Sequence, residues 1–222
     1  LESEQGAGLD SEQAQQQVKA FLNLPSDEVE DTLLHKAAAA GRTEIIKLLW
    51  DRGASMLQTN KLGCTPLHAA AMHGQNKAIE WMLDKQADPR ANDSEGYCPM
   101  HYAAGEGHLD AIDILLRKGA CNPELKTFQG LTMMHIAVSE NQESVVKYLL
   151  ANSPRTHRGP HFAAIPDADR VLPIQYAKAA DERNEEIINA LAVSRRQRPH
   201  LRICFTSAYL LLPTHVPCPC LR

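Results

Sequence analysis

Aromatic residues make up only 5% of this 222-residue chain: four Phe, five Tyr and two Trp. A core with so few large rings is filled by alanine and branched aliphatic side chains. Long apolar runs are also missing. The longest, Ile203 to Leu212, is half the roughly 20 residues a helix needs to cross a bilayer, so no membrane insertion is expected. No glycine-rich phosphate loop, nucleophile elbow or carboxylate pair with a partner histidine occurs, which leaves catalysis without apparatus and predicts no cofactor. Gly105-Glu106-Gly107 has the flavour of a phosphate loop but lies at an ordinary turn between helices. A formal charge of −4 excludes the broad basic face of a general nucleic-acid binder. No basic-then-apolar leader precedes the body, and the chain opens at Leu1 rather than Met, as a fragment or processed product does.

What the chain has instead is a phrase that returns. Thr65-Pro66-Leu67-His68-Ala69-Ala70 recurs as Thr32-Leu33-Leu34-His35-Lys36-Ala37, Cys98-Pro99-Met100-His101-Tyr102-Ala103 and Thr132-Met133-Met134-His135-Ile136-Ala137. The histidines at 35, 68, 101 and 135 are spaced by 33, 33 and 34 residues. A glycine follows the first three at the same distance, as Gly41, Gly74 and Gly107. Each glycine is placed to end a short helix in the left-handed conformation. Apolar residues at i, i+3 and i+4 then mark second helices at Glu44–Leu49, Lys77–Leu83, Asp110–Leu116 and Ser144–Leu150. Thr65 suits a helix cap and Pro66 the first helical position. A fixed period of this length marks stacked supersecondary units, none of which buries enough apolar surface alone.

By this hexapeptide and its period the chain resembles the ankyrin-repeat family. The resemblance implies an all-α solenoid of helix-turn-helix units with β-turn fingers, in a curved, elongated stack. Units fall near residues 27–59, 60–92, 93–126, 127–159 and 167–192. The fifth is degenerate: Leu172-Pro173-Ile174-Gln175-Tyr176-Ala177 carries Gln175 where histidine belongs, 40 residues after His135. The inserted loop is placed at 153–169, where Pro154, Gly159, Pro160 and Pro166 suggest extended chain. Residues 1–26 form the lead, either disordered or a capping helix in Ala14–Leu24 with Val18, Phe21 and Leu22 at helical spacing. Residues 193–222 fall outside the pattern as a basic, Pro- and Cys-containing tail.

That tail carries Arg195, Arg196, Arg198, Arg202 and Arg222 and no acid, so its +5 leaves −9 on the rest of the −4 chain. Its Phe205–Leu212 segment is β-prone and uncharged, an aggregation liability when free. His215-Val216-Pro217-Cys218-Pro219-Cys220 offers one His and two Cys, too few for a metal site, and Pro219 at the fourth position from the end rules out a prenylation box. Cys64, Cys98 and Cys121 fall at ordinary positions of the repeats, the pattern of reduced thiols in a cytoplasmic or nuclear protein.

A metal or catalytic role for His35, His68, His101 and His135 is defeated by the repeat itself. Units stack about 10 Å apart, whereas zinc holds its nitrogen ligands at about 2 Å. The resemblance instead gives these histidines a structural role, bracing finger and turn, with Gly41, Gly74 and Gly107 at the turns. It also implies that partners touch the finger tips and the exposed end of each first helix. By position these are Lys61, Leu62, Cys64, Met72 and His73; Ser94, Glu95, Tyr97, Gly105 and Glu106; and Phe128, Gln129, Leu131, Ser139 and Glu140. Tyr97, Phe128, Leu62, Leu131 and Met72 are apolar where a loop calls for polar residues, and so are expected as exposed contact area. Trp50 and Trp81 are expected to pack. The function implied is a non-enzymatic protein-binding module (scaffold, adaptor or stoichiometric inhibitor), monomeric by itself, whose partner carries a basic patch. The alternative is a regulatory segment of a larger enzyme or membrane channel.

Overall fold

The hexapeptide sets where each unit begins. Thr32, Thr65, Cys98 and Thr132 hold extended backbone, with ψ between 166° and 168°, and the chain turns helical at the next residue. Pro66 and Pro99 occupy the first turn, where no donor is lost. Seven-residue helices result. The computed structural model describes residues 11–152, 162–179 and 185–196. Within them the lead helix is α1 (Ser11–Leu22), and the inner helices are α2 (Leu33–Ala39), α4 (Pro66–Met72), α6 (Pro99–Gly105), α8 (Met133–Ser139) and α10 (Pro173–Ala179). Each inner helix is followed by an outer one: α3 (Thr43–Asp51), α5 (Asn76–Asp84), α7 (Leu109–Arg117), α9 (Glu143–Ala151) and α11 (Glu185–Arg196). No strand forms among the described residues; a single antiparallel bridge joins Lys126 and Thr132. The fold is an all-α repeat solenoid.

The inner-to-outer turns need a left-handed residue. Gly41, Gly74 and Gly107 supply it at φ +65°, +61° and +81°, and in the fourth unit Asn141 does so at +57°. Asparagine tolerates that region better than other side chains.

Helices of seven and nine residues are unstable alone, so tertiary packing holds them. The inner helices stack in chain order, α2 on α4 on α6 on α8 on α10, and each also packs on its own outer helix. Alanine lets them approach: Ala38, Ala70, Ala71, Ala103, Ala104 and Ala137 are fully buried. Outer helices contribute Ile46, Ile79, Ile112 and Val146 at matching places, and α11 adds Ile187. One continuous apolar core runs from Leu34 to Leu191. Trp50 and Trp81 lie half-buried against it.

Three expectations need correction. The insertion is not extended chain throughout: Phe162–Ala164 forms a 3-10 turn, and Phe162 and Ile165 are buried against α9, α10 and α11. Two large apolar side chains within four residues are enough to draw that end of the loop into the core. Helix α11 runs to Arg196, past the boundary expected at 192. The lead does form a helix, but only its Leu22 packs on the core, while Val18 and Phe21 remain 46% and 66% exposed. The rest of the basic tail, with its metal-like tract, Cys204 and Phe205–Leu212, lies outside the described residues, as do residues 1–10 and 153–161.

Candidate functional site

Each finger is built around one short polar side chain. Asp27, Asn60, Asp93 and Asp167 accept, through Oδ1, the backbone N–H four residues on, at 2.8–3.0 Å. Thr127 does the same for Leu131 through its hydroxyl, at 3.2 Å. Such turns are local and short-range, so every finger closes on itself. The fingers are then tied in series by single backbone bonds. Lys61 N–H donates to the Val29 carbonyl, Ser94 to Leu62, Phe128 to Glu95 and Ala168 to Gln129, at 2.9–3.1 Å. The tips therefore form a ladder with one rung per unit.

The histidines join the ladder to the helices. In every copy Nδ1 accepts the backbone N–H of the residue opening the helix, at 3.0–3.2 Å. That fixes the tautomer: the proton sits on Nε2 and is donated to a carbonyl of the following unit or, for His101, of the segment leading into it. The acceptors are Cys64, Tyr97, Leu125 and Val171, at 2.8–3.2 Å. The brace expected within one finger thus reaches into the next. Gln175 keeps half of this role, with Oε1 accepting from Leu172 N–H at 2.7 Å. Burial pushes all four imidazoles below their ordinary pKa, His68 and His101 to about 4, with the neighbouring Asp93 acting in the opposite direction on those two.

This wiring explains where the expected contact residues fall. Cys64, Tyr97 and Leu131 immediately precede the helix caps and close their fingers through their own backbone groups. Their side chains consequently point inward: they are 3%, 2% and 5% exposed and form a second apolar cluster with Tyr102 and Ile136. The reading of these three as exposed contacts does not hold. Leu62 and Met72 are half-buried against the same cluster. Gly105 is buried too, and its Cβ would meet Ile136 at 3.4 Å. Lys61, His73, Ser94, Gln129 and Ser139 are exposed, and Glu95, Glu106 and Glu140 half-buried. Phe128 stands out at 70% exposure.

Beneath the rim lie two buried carboxylates that the sequence reading missed. Tyr102 donates its hydroxyl to Asp93 Oδ2 at 2.5 Å, and Tyr176 to Asp167 Oδ2 at 2.7 Å, each nine residues along. Burial and then the Asp167 bond raise the Tyr176 phenol. A tyrosine nine residues after the finger aspartate was the available signal. Also missed were three latches on the far side. Gln75 Nε2 donates to Ala39 O at 3.0 Å, Gln142 Nε2 to Gly105 O at 2.7 Å, and His108 Nε2 lies 3.0 Å from Met72 O. These side chains lie over Gly41, Gly107 and Gly74, where a Cβ would come within 2.2–2.7 Å of them. Glycine at this phase therefore serves the neighbouring unit as well as its own turn.

The sequence matches the family model described as ankyrin repeats (three copies) over residues 10–93 and again over 85–158, about two thirds of the chain. The chain belongs to the ankyrin-repeat family. No individual curated protein matches it significantly. Ankyrin repeats are in general protein-protein interaction modules and typically not enzymes, and the geometry is of that kind. The thiols are unsuited to attack: Cys98 and Cys121 are buried, which raises both pKa values, that of Cys121 to about 12. No three metal-ligating groups converge among the described residues, and no described helix is long and apolar enough to cross a membrane. The ankyrin stack exposes a rim of finger tips and inner-helix ends above the buried core.

Proposed function

We propose that this ankyrin-repeat chain is a non-enzymatic binding module, a scaffold, adaptor or stoichiometric inhibitor, that holds a protein partner along its finger tips and inner rim. The observation that carries this reading is Phe128: its ring is exposed at a finger tip while its backbone N–H is fixed to Glu95 O at 3.1 Å. An exposed aromatic on an immobilised backbone makes contact at little ordering cost, and aromatics of this kind dominate interface energetics. Gln129 beside it, with Ser94, Glu95, Glu106, Ser139 and Glu140, supplies the polar surround. Glu28, Glu30, Glu95, Glu106, Glu140 and Asp169 outnumber Lys61, Lys126 and Arg170 along this side, which favours a partner with a basic patch and speeds its approach. The cysteines of the described residues, Cys64, Cys98 and Cys121, are unbridged, which fits a reducing compartment, the cytoplasm or nucleus.

The test is a crosslinking pull-down from the source cell with wild-type chain, Phe128→Ala and Glu106→Lys. Loss of a specific protein from both variants at unchanged thermal stability supports the reading. Equal recovery of that protein by all three overturns it.

A further inference from the structure

The stack is unequal at its two ends. Position 45 holds Ile45, 48% exposed, whereas its equivalents Ala78, Ala111 and Val145 are at most 1% exposed because the preceding outer helix covers them. Leu48 is 54% exposed, whereas Trp81, Ile114 and Tyr148 at the same phase are packed against the core. Leu33 is 40% exposed, whereas Pro66, Pro99 and Met133 are buried. The first unit therefore carries the apolar residues of an inter-repeat seam, and among the described residues only α1 lies ahead of it. Helix α1 covers only a corner. Lys19 lies over Gly53, as Pro89 of the preceding unit lies over Gly119, and Asn23 bonds Gly53 O and Ser55 N–H. Its Val18 and Phe21 add to the open apolar surface. At the other end, among the described residues of α10 and α11, Val193 is the one exposed large apolar side chain, and Lys178, Glu185, Glu186 and Asn189 are exposed.

We infer that the upstream face of the first unit, built from Leu33, Ile45 and Leu48 with Val18 and Phe21, is a docking seam taken by a second copy of this chain in an isologous dimer. Continuity with the seams inside the stack identifies the surface as one that accepts ankyrin-type helices. The imbalance between the ends selects the occupant: the described downstream residues are polar and a poor match for it, whereas another upstream face is apolar and self-complementary. This departs from the monomer expected of the sequence and is independent of the rim reading.

The experiment is sedimentation equilibrium on the full 222-residue chain across roughly 1–200 µM, the range in which micromolar interfaces titrate. Variants are Ile45→Glu, Leu48→Glu and, at the opposite end, Val193→Glu. A reversible dimer is expected, with the dissociation constant raised at least about tenfold by either upstream variant and unmoved by Val193→Glu. Circular dichroism and melting temperature check that the exposed substitutions leave the fold intact, and Leu48→Ser replaces any that does not. A monomer throughout the range, a dimer indifferent to both upstream changes, or one broken by Val193→Glu overturns the inference.

Discussion

The imidazole Nε2 of His68 donates to the carbonyl of Tyr97, 29 residues later and one unit away, at 3.1 Å. Its Nδ1 meanwhile accepts from Thr65 N–H at 3.0 Å. Replacing His68 with alanine strands the buried Thr65 N–H, takes one of two bonds from the Tyr97 carbonyl and opens a cavity, at a cost of about 2–4 kcal/mol. Gln175 already performs the Nδ1 half in the fifth unit, so His68→Gln is expected to cost measurably less. Urea unfolding of the two variants ranks them, and equal losses would show that the cap bond contributes nothing.

The same histidines set an acid limit. Their folded pKa values lie below the ordinary 6.5, with His68 and His101 at about 4, so the unfolded chain binds more protons in between. Their stabilisation is fully present above pH 6.5 and is lost as pH falls toward 4, by about 3 kcal/mol for each of these two. Stability measured between pH 7 and 4.5 should fall steeply, and His101→Gln should flatten the slope. A flat profile across that window contradicts the assignment.

Tyr97 and Phe128 stand in adjacent fingers and should behave oppositely. Tyr97→Ala removes a ring packed 5.8 Å from Tyr102 and 6.0 Å from His101, and is expected to cost about 3–5 kcal/mol. Phe128→Ala, at a tip 70% exposed, should stay within about 1 kcal/mol. Thermal denaturation of both variants decides the matter without any partner.

Gly107→Ala faces two obstacles, a backbone at φ +81° and the Gln142 amide, 2.4 Å from the new Cβ. The strain and the displaced latch together should cost about 2–3 kcal/mol. Gln142→Ala alone should cost about 1 kcal/mol. In the double variant the sum should fall short of additive, because the latch is already gone. Full additivity would mean that the backbone alone requires the glycine.

The unit boundaries were legible because the hexapeptide specifies a cap, a first-turn proline and a histidine at one phase, all local features. Asn141 in the glycine position and Gln175 in the histidine position were readable as substitutes by the same offsets. The burial of Cys64, Tyr97 and Leu131 was less so. A residue in a turn reads as surface, and only the closure of each finger through that residue's own backbone turns its side chain inward. The Tyr102–Asp93 pair joins residues whose meeting depends on the finger folding over its helix, a matter of geometry rather than period. The inward seat of Phe162 belongs to an inserted segment with no counterpart in the other units.

Because every rung contains a backbone-to-backbone bond, most of the outermost side chains hang from a scaffold that does not consult them. Letters at positions such as 61 and 128 can be rewritten without disturbing the spacing that displays them. Mutation is thereby free to retune what is recognised while the architecture pays nothing.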